Sequence, residues 1–124
     1  MKRVIISSQS NDEAFDNMRN EIKDSINAEL DRIGKGNDWN YVKSVYYQDR
    51  QEGNILLYTI LEGDWTRFHK EYSKGNARFK DICPNLDSIL SSYGYDFIKQ
   101  YKRYAPGPEV TLFYVLISKQ NKVM

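Results

Sequence analysis

Reactive side chains are scarce in this chain: 124 residues include one histidine, His69, and one cysteine, Cys83. A lone cysteine forms no internal disulfide and, beside a single histidine, no zinc cluster, which suits a reducing compartment. Acid/base, nucleophilic and metal chemistry calls for several such groups converging on one point, so their scarcity argues against an enzyme and against any bound cofactor. No zinc spacing, nucleophile elbow or glycine-rich phosphate loop occurs, and Gly34-Lys35-Gly36-Asn37 is too short for the last of these. Long apolar runs are missing too. Val4, Ile5 and Ile6 give way to polar residues, too short a stretch for a signal peptide or a membrane span, so a cytoplasmic protein with no membrane partner is expected. The net charge of +1 creates no general demand for a polyanion.

What the chain has instead is aromatic surface, in ten tyrosines, five phenylalanines and two tryptophans. Such rings supply large contact areas at low entropy cost. The apolar share of 40% and charged share of 28% belong to a folded protein, and the length suits a single domain over residues 1–124. Charge is unevenly spread. Residues 11–33 hold seven acids against three bases, a local −4, whereas residues 65–104 hold eight bases against four acids, a local +4. Solvated faces account for this most simply; the functional reading is a pair of complementary patches that guide self-association or a charged partner.

Periodicity places the elements. Phe15, Met18, Ile22, Ile26, Leu30 and Ile33 recur at steps of three and four, which predicts a helix over 11–33 with one apolar stripe. Ser10 and Glu13 have the form of a capping box, and Gly34 suits the end. Ahead of it, the β-branched residues of 3–7 predict a short strand. Residues 39–48 alternate, with Trp39, Tyr41, Lys43, Val45 and Tyr47 opposite Asn40, Val42, Ser44, Tyr46 and Gln48, and pair in a hairpin with the apolar run 55–62. Residues 64–72 read as a weak helix or an ordered loop, with another helical turn in 77–82. Pro84 introduces a helix over 85–92 with Leu86, Ile89, Leu90 and Tyr93 inward, and Gly94 ends it. Residues 95–104 and 110–118 form a second hairpin, and 119–124 is expected to fray.

The expected order is β-α-β-β-(α)-α-β-β, an α+β fold with a mainly antiparallel sheet and helices packed on one face. In element order alone it loosely resembles the ferredoxin-like split βαβ plan with an extra C-terminal strand.

Four sets of residues are weighed for function. His69 lies near Asp64, Arg67 and Glu71, but a histidine among charged residues is more often a surface residue than a catalyst. Cys83, between Ile82 and Pro84, reads as a buried apolar-like residue, not a nucleophile. The stretch Lys99, Tyr101, Lys102, Arg103 and Tyr104 interleaves bases with rings, as single-stranded nucleic acid binding asks, yet it equally describes a charged edge strand guarded against pairing. Trp39, Tyr41, Tyr46, Tyr47 and Tyr58 put large rings on both faces of the first hairpin. One face has no evident cover in so short a chain, which points to an interface.

The function expected from these features is non-enzymatic binding of a protein partner or a small charged ligand, most simply by a homo-oligomer. A short single-domain chain of this kind resembles the accessory proteins of phages and mobile elements, including inhibitors of host defence systems. Single-stranded nucleic acid binding is the first alternative, and a small enzyme using His69 the second.

Overall fold

The computed structural model describes residues 2–34, 40–63, 78–101 and 111–120. Its longest element is helix α1 (Lys2–Gly34). Met18, Ile22, Ile26 and Leu30 are fully buried on one stripe, with Phe15 partly buried above them, as the spacing requires. The expected strand over 3–7 is absent, because that segment is helical. Extending an existing helix adds a backbone hydrogen bond per residue without a new nucleation step, and Ser7, Ser8 and Ser10 do not break it. Ser10 is therefore interior to the helix and not its cap, and Gly34 is the last described residue of the helix.

The remaining elements are β1 (Asn40–Asp49), a 3₁₀ turn (Gln51–Gly53), β2 (Asn54–Gly63), α2 (Phe79–Ile82), α3 (Leu86–Ser92), β3 (Tyr95–Tyr101) and β4 (Thr111–Lys119). The four strands form one antiparallel sheet in the order β1-β2-β4-β3. The α+β class and both hairpins are as expected; the order departs from expectation at its first element, so the split βαβ plan is matched only loosely. The β1–β2 turn is tight. Glu52 and Gly53 take left-handed backbone conformations, and the Arg50 N–H donates to the Asn54 carbonyl at 2.7 Å. Gly94, with φ of 83°, turns the chain from α3 into β3. Of the segment expected to fray, residues 119 and 120 are held in place, since Lys119 pairs with Tyr95 and the Gln120 N–H donates to the Gly94 carbonyl at 2.7 Å. The segments 35–39, 64–77, 102–110 and 121–124, with Trp39, His69, Lys102, Arg103 and Tyr104, lie outside the described residues.

The core lies between α1, α2 and α3 and one face of the sheet. Val42, Val45, Leu57, Leu61, Phe113, Val115 and Ile117 meet the α1 stripe together with Phe79, Ile82, Leu86 and Leu90, all at most 1% exposed. Two polar side chains of α1 fasten this layer to the outer edge of β1. Asn27 receives the Val42 N–H at 2.7 Å and donates to the Val42 carbonyl at 3.0 Å, acting as a one-residue strand partner. Arg19 donates to the Val45 carbonyl at 2.6 Å, with Asp16 holding its other terminal nitrogen at 2.6 Å. An edge peptide that would otherwise face solvent or another chain is thus closed by the helix.

Two buried polar atoms, Thr59 Oγ1 and Arg19 Nε, have no hydrogen-bond partner among the described residues. Replacing Thr59 by Val removes an unsatisfied hydroxyl at nearly constant shape, so stability should stay level or rise by up to about 1 kcal/mol. Asn27→Ala strips both partners from the Val42 peptide and should lower stability by about 1–3 kcal/mol. Urea unfolding of both variants beside the parent checks the pair, and equal effects of the two would contradict this account.

Candidate functional site

Antiparallel sheets with one wet face normally alternate apolar-in with polar-out. This sheet does not. On β2, Leu57, Thr59 and Leu61 face the helices, while Leu56, Tyr58 and Ile60 face the other way and are half-buried. On β4, Tyr114 and Leu116 share that second face. The face away from the helices is therefore as apolar on its two central strands as the core face.

Two bulges organise its aromatic residues. Val42 pairs with Leu61, and unbroken pairing would bring Tyr46 opposite Leu57, pointing into the core. The irregularity between Val42 and Val45 adds one residue to β1, so Tyr46 instead pairs with Tyr58 on the outer face. In β3, Phe97 pairs with Ile117, which would set Tyr101 opposite Phe113 on the helix side. The extra residue Ile98 shifts the register, and Tyr101 pairs with Tyr114.

Together these place one tyrosine from every strand in a row across the sheet: Tyr46, Tyr58, Tyr114 and Tyr101. Tyr46 and Tyr58 stack with centroids 5.4 Å apart, Tyr58 and Tyr114 at 5.7 Å, and Tyr101 meets Tyr114 edge-on at 6.5 Å. A second row, Gln48, Leu56, Leu116 and Lys99, runs beside it in register, and the Lys99 ammonium lies 5.2 Å from the Tyr101 centroid. Where β1 and β2 pair further along, the Tyr41 hydroxyl donates to Glu62 at 2.9 Å, and that carboxylate holds the phenol above its ordinary pKa.

An open groove of about 640 Å³ borders this surface. Among the described residues it is lined by Asp49, Arg50, Gln51, Glu52 and Asn54 from the β1–β2 turn and by Tyr101 and Leu116. The turn contributes charged and polar side chains to this lining, and Leu116 and Tyr101 contribute its apolar part. No group of three or more His, Cys, Asp or Glu side chains that would hold a metal gathers among the described residues. Among these residues, too, no helix is long and apolar enough to cross a membrane.

Of the residues the sequence singled out, Tyr41, Tyr46, Tyr58, Lys99 and Tyr101 lie on this face. Tyr47 does not. It lies on the helix side, edge-on to Phe15 at 4.9 Å and 5.0 Å from the Arg19 guanidinium, although 46% exposed at the margin. The expected grouping of Tyr41 with Val45 and Tyr47 fails for the same reason, since the bulge reverses the alternation between them. Sequence reasoning missed Tyr114 and the groove. Tyr114 was findable, because it alternates with Phe113 and Val115 in a run that reads as a strand. The turn charges gave no such signal.

Cys83 is fully buried, and Asn85, whose Oδ1 lies 3.7 Å from its sulfur, also accepts the Ser25 hydroxyl at 2.5 Å. Burial pushes the thiol up to about 11, with Ser25 opposing part of the rise. The native protein should thus react only slowly with thiol reagents at neutral pH. A raised folded-state value means the stabilising effect of the neutral thiol is complete below pH 9 and lost as pH climbs toward 11. Unfolding measured over that window should show a fall that is smaller in Cys83→Ala, in which the raised phenols of Tyr41, Tyr93 and Tyr95 still contribute, once the constant loss from the smaller side chain is subtracted.

No protein family, curated protein or solved structure matches this chain.

Proposed function

We propose that this chain is a non-enzymatic binding protein that recognises a protein partner through the sheet face carrying the tyrosine row. The observation behind this reading is the apolar outer face of β2 and β4, a pattern suited to a sheet covered on both sides. Rings anchored on neighbouring strands are rigid, so little side-chain entropy is lost when a partner settles on them.

The ring geometry favours protein over single-stranded nucleic acid. Base stacking needs open ring faces, whereas Tyr46, Tyr58 and Tyr114 stack on one another with planes 24–25° apart, so their faces are turned to each other. Among the described residues, Tyr101 with Lys99 is the remaining point for a base and a phosphate.

Hydroxyl-radical footprinting of the dilute protein, read by mass spectrometry, tests the reading. Tyr46, Tyr58, Tyr101 and Tyr114 should oxidise more readily than the core residue Phe113. Protection of the whole row at every dilution would mean that the face is covered within the subunit, and the reading would fall. A labelled oligonucleotide at low salt is expected to show no shift; salt-sensitive binding lost in Lys99→Ala would favour the nucleic-acid alternative instead.

A further inference from the structure

The groove beside the tyrosine row takes its charged lining, Asp49, Arg50 and Glu52, from the turn side. On the β3 side Lys99, outside the lining itself, pairs with the lining residue Leu116 and lies against the ring of Tyr101, so a base borders the groove opposite the turn. All four are exposed, and none takes part in an ion pair among the described residues. Arg50 is occupied by Gln48, to which it donates at 3.3 Å, and Asp49 lies close enough to Tyr95 to raise its phenol alongside burial. Glu52, at the apex of a turn fixed by the Arg50–Asn54 hydrogen bond, and Lys99, against the Tyr101 ring, are an acid and a base that meet no opposite charge among the described residues. Leu116 and Tyr101 form the floor, and Tyr101 is 37% exposed.

A surface with an apolar floor and opposite charges on opposite banks is complementary to itself. A two-fold axis along the groove carries each bank over the other bank of the copy. Resting on the recognition reading above, we infer that the partner on this face is a second copy of the chain. In that dimer Lys99 of each copy meets Glu52 of the other, while Tyr101, Leu116 and the tyrosine row close over their counterparts. The apolar rows supply the affinity, and the two symmetry-related ion pairs at the rim set the orientation and exclude sliding along the greasy face.

Sedimentation and light scattering from about 1 μM to 1 mM give the test. The parent should pass from 14.6 kDa toward twice that mass. Lys99→Glu and Glu52→Lys each set like charges against each other and should weaken the dimer about tenfold or more. Mixed in equal amounts, the two variants should associate as the parent does, because the carboxylate introduced in one copy then meets the ammonium introduced in the other, and the native Glu52 meets the native Lys99. Circular dichroism verifies that both fold. Should either misfold, Lys99→Gln and Glu52→Gln serve instead, each weakening the dimer without rescue on mixing. A parent that stays at 14.6 kDa overturns the inference, as does a dimer indifferent to these variants or one that mixing the charge-reversed pair does not restore. Footprinting of the dilute subunit reports exposure of the row whatever its occupant, so a monomer with reactive tyrosines would refute the dimer and leave the recognition reading standing.

Discussion

Two polar side chains of one helix hold the outer edge of the sheet, and the rest of the surface depends on where they hold it. Asn27 grips the peptide of Val42 and Arg19 the carbonyl of Val45, the two residues that bracket the β1 bulge. A bulge is the weak point of a strand pair, because the extra residue has no ladder partner. Here both flanks are fixed from outside the sheet by groups already rigid in α1. Arg19 is itself steadied by Asp16 and by the rings of Phe15 and Tyr47, at 5.6 and 5.0 Å from its guanidinium carbon. The same contacts close an edge that would otherwise invite pairing with another strand, so register control and edge protection are one device.

The sheet then serves two layers at once. Its helix-facing side builds the core with aliphatic residues and Phe113, and its outer side carries the tyrosine row. Thr59 shows the strain of that double duty. A polar residue faces the core while Leu56, Tyr58 and Ile60 face out, an arrangement that costs stability if the outer side is solvated and makes sense if it is a place of contact.

Much of this is legible in the sequence, and the failures have identifiable causes. The stripe from Phe15 to Leu30 names the buried residues of α1, since a helix that packs by one face must repeat at three and four. Both hairpins follow from alternation and turn chemistry. The segment over 3–7 misleads because β-branched propensity is weak beside the gain from prolonging a helix. The bulges are illegible. One inserted residue leaves composition and local pattern intact and yet reverses which face every later side chain occupies. Strict alternation therefore sets Tyr41 beside Tyr47, whereas the folded strand puts Tyr41 with Tyr46 on the outer face and Tyr47 with Val45 on the inner one. The groove escapes for a related reason, since its lining residues come from a turn and from two strands far from it in the chain, joined only by sheet order.

The tyrosine row has one member in each strand, drawn from positions 46, 58, 101 and 114. A slip of a single residue anywhere in the sheet turns one ring through to the opposite side and breaks the line. The complete row therefore exists only in a chain whose every strand has found its place, and a partner of the proposed kind would in effect inspect the finished product. Half-assembled molecules carry the same side chains but not the same signpost, so the recognition proposed for this face would bring a built-in safeguard against capturing immature copies.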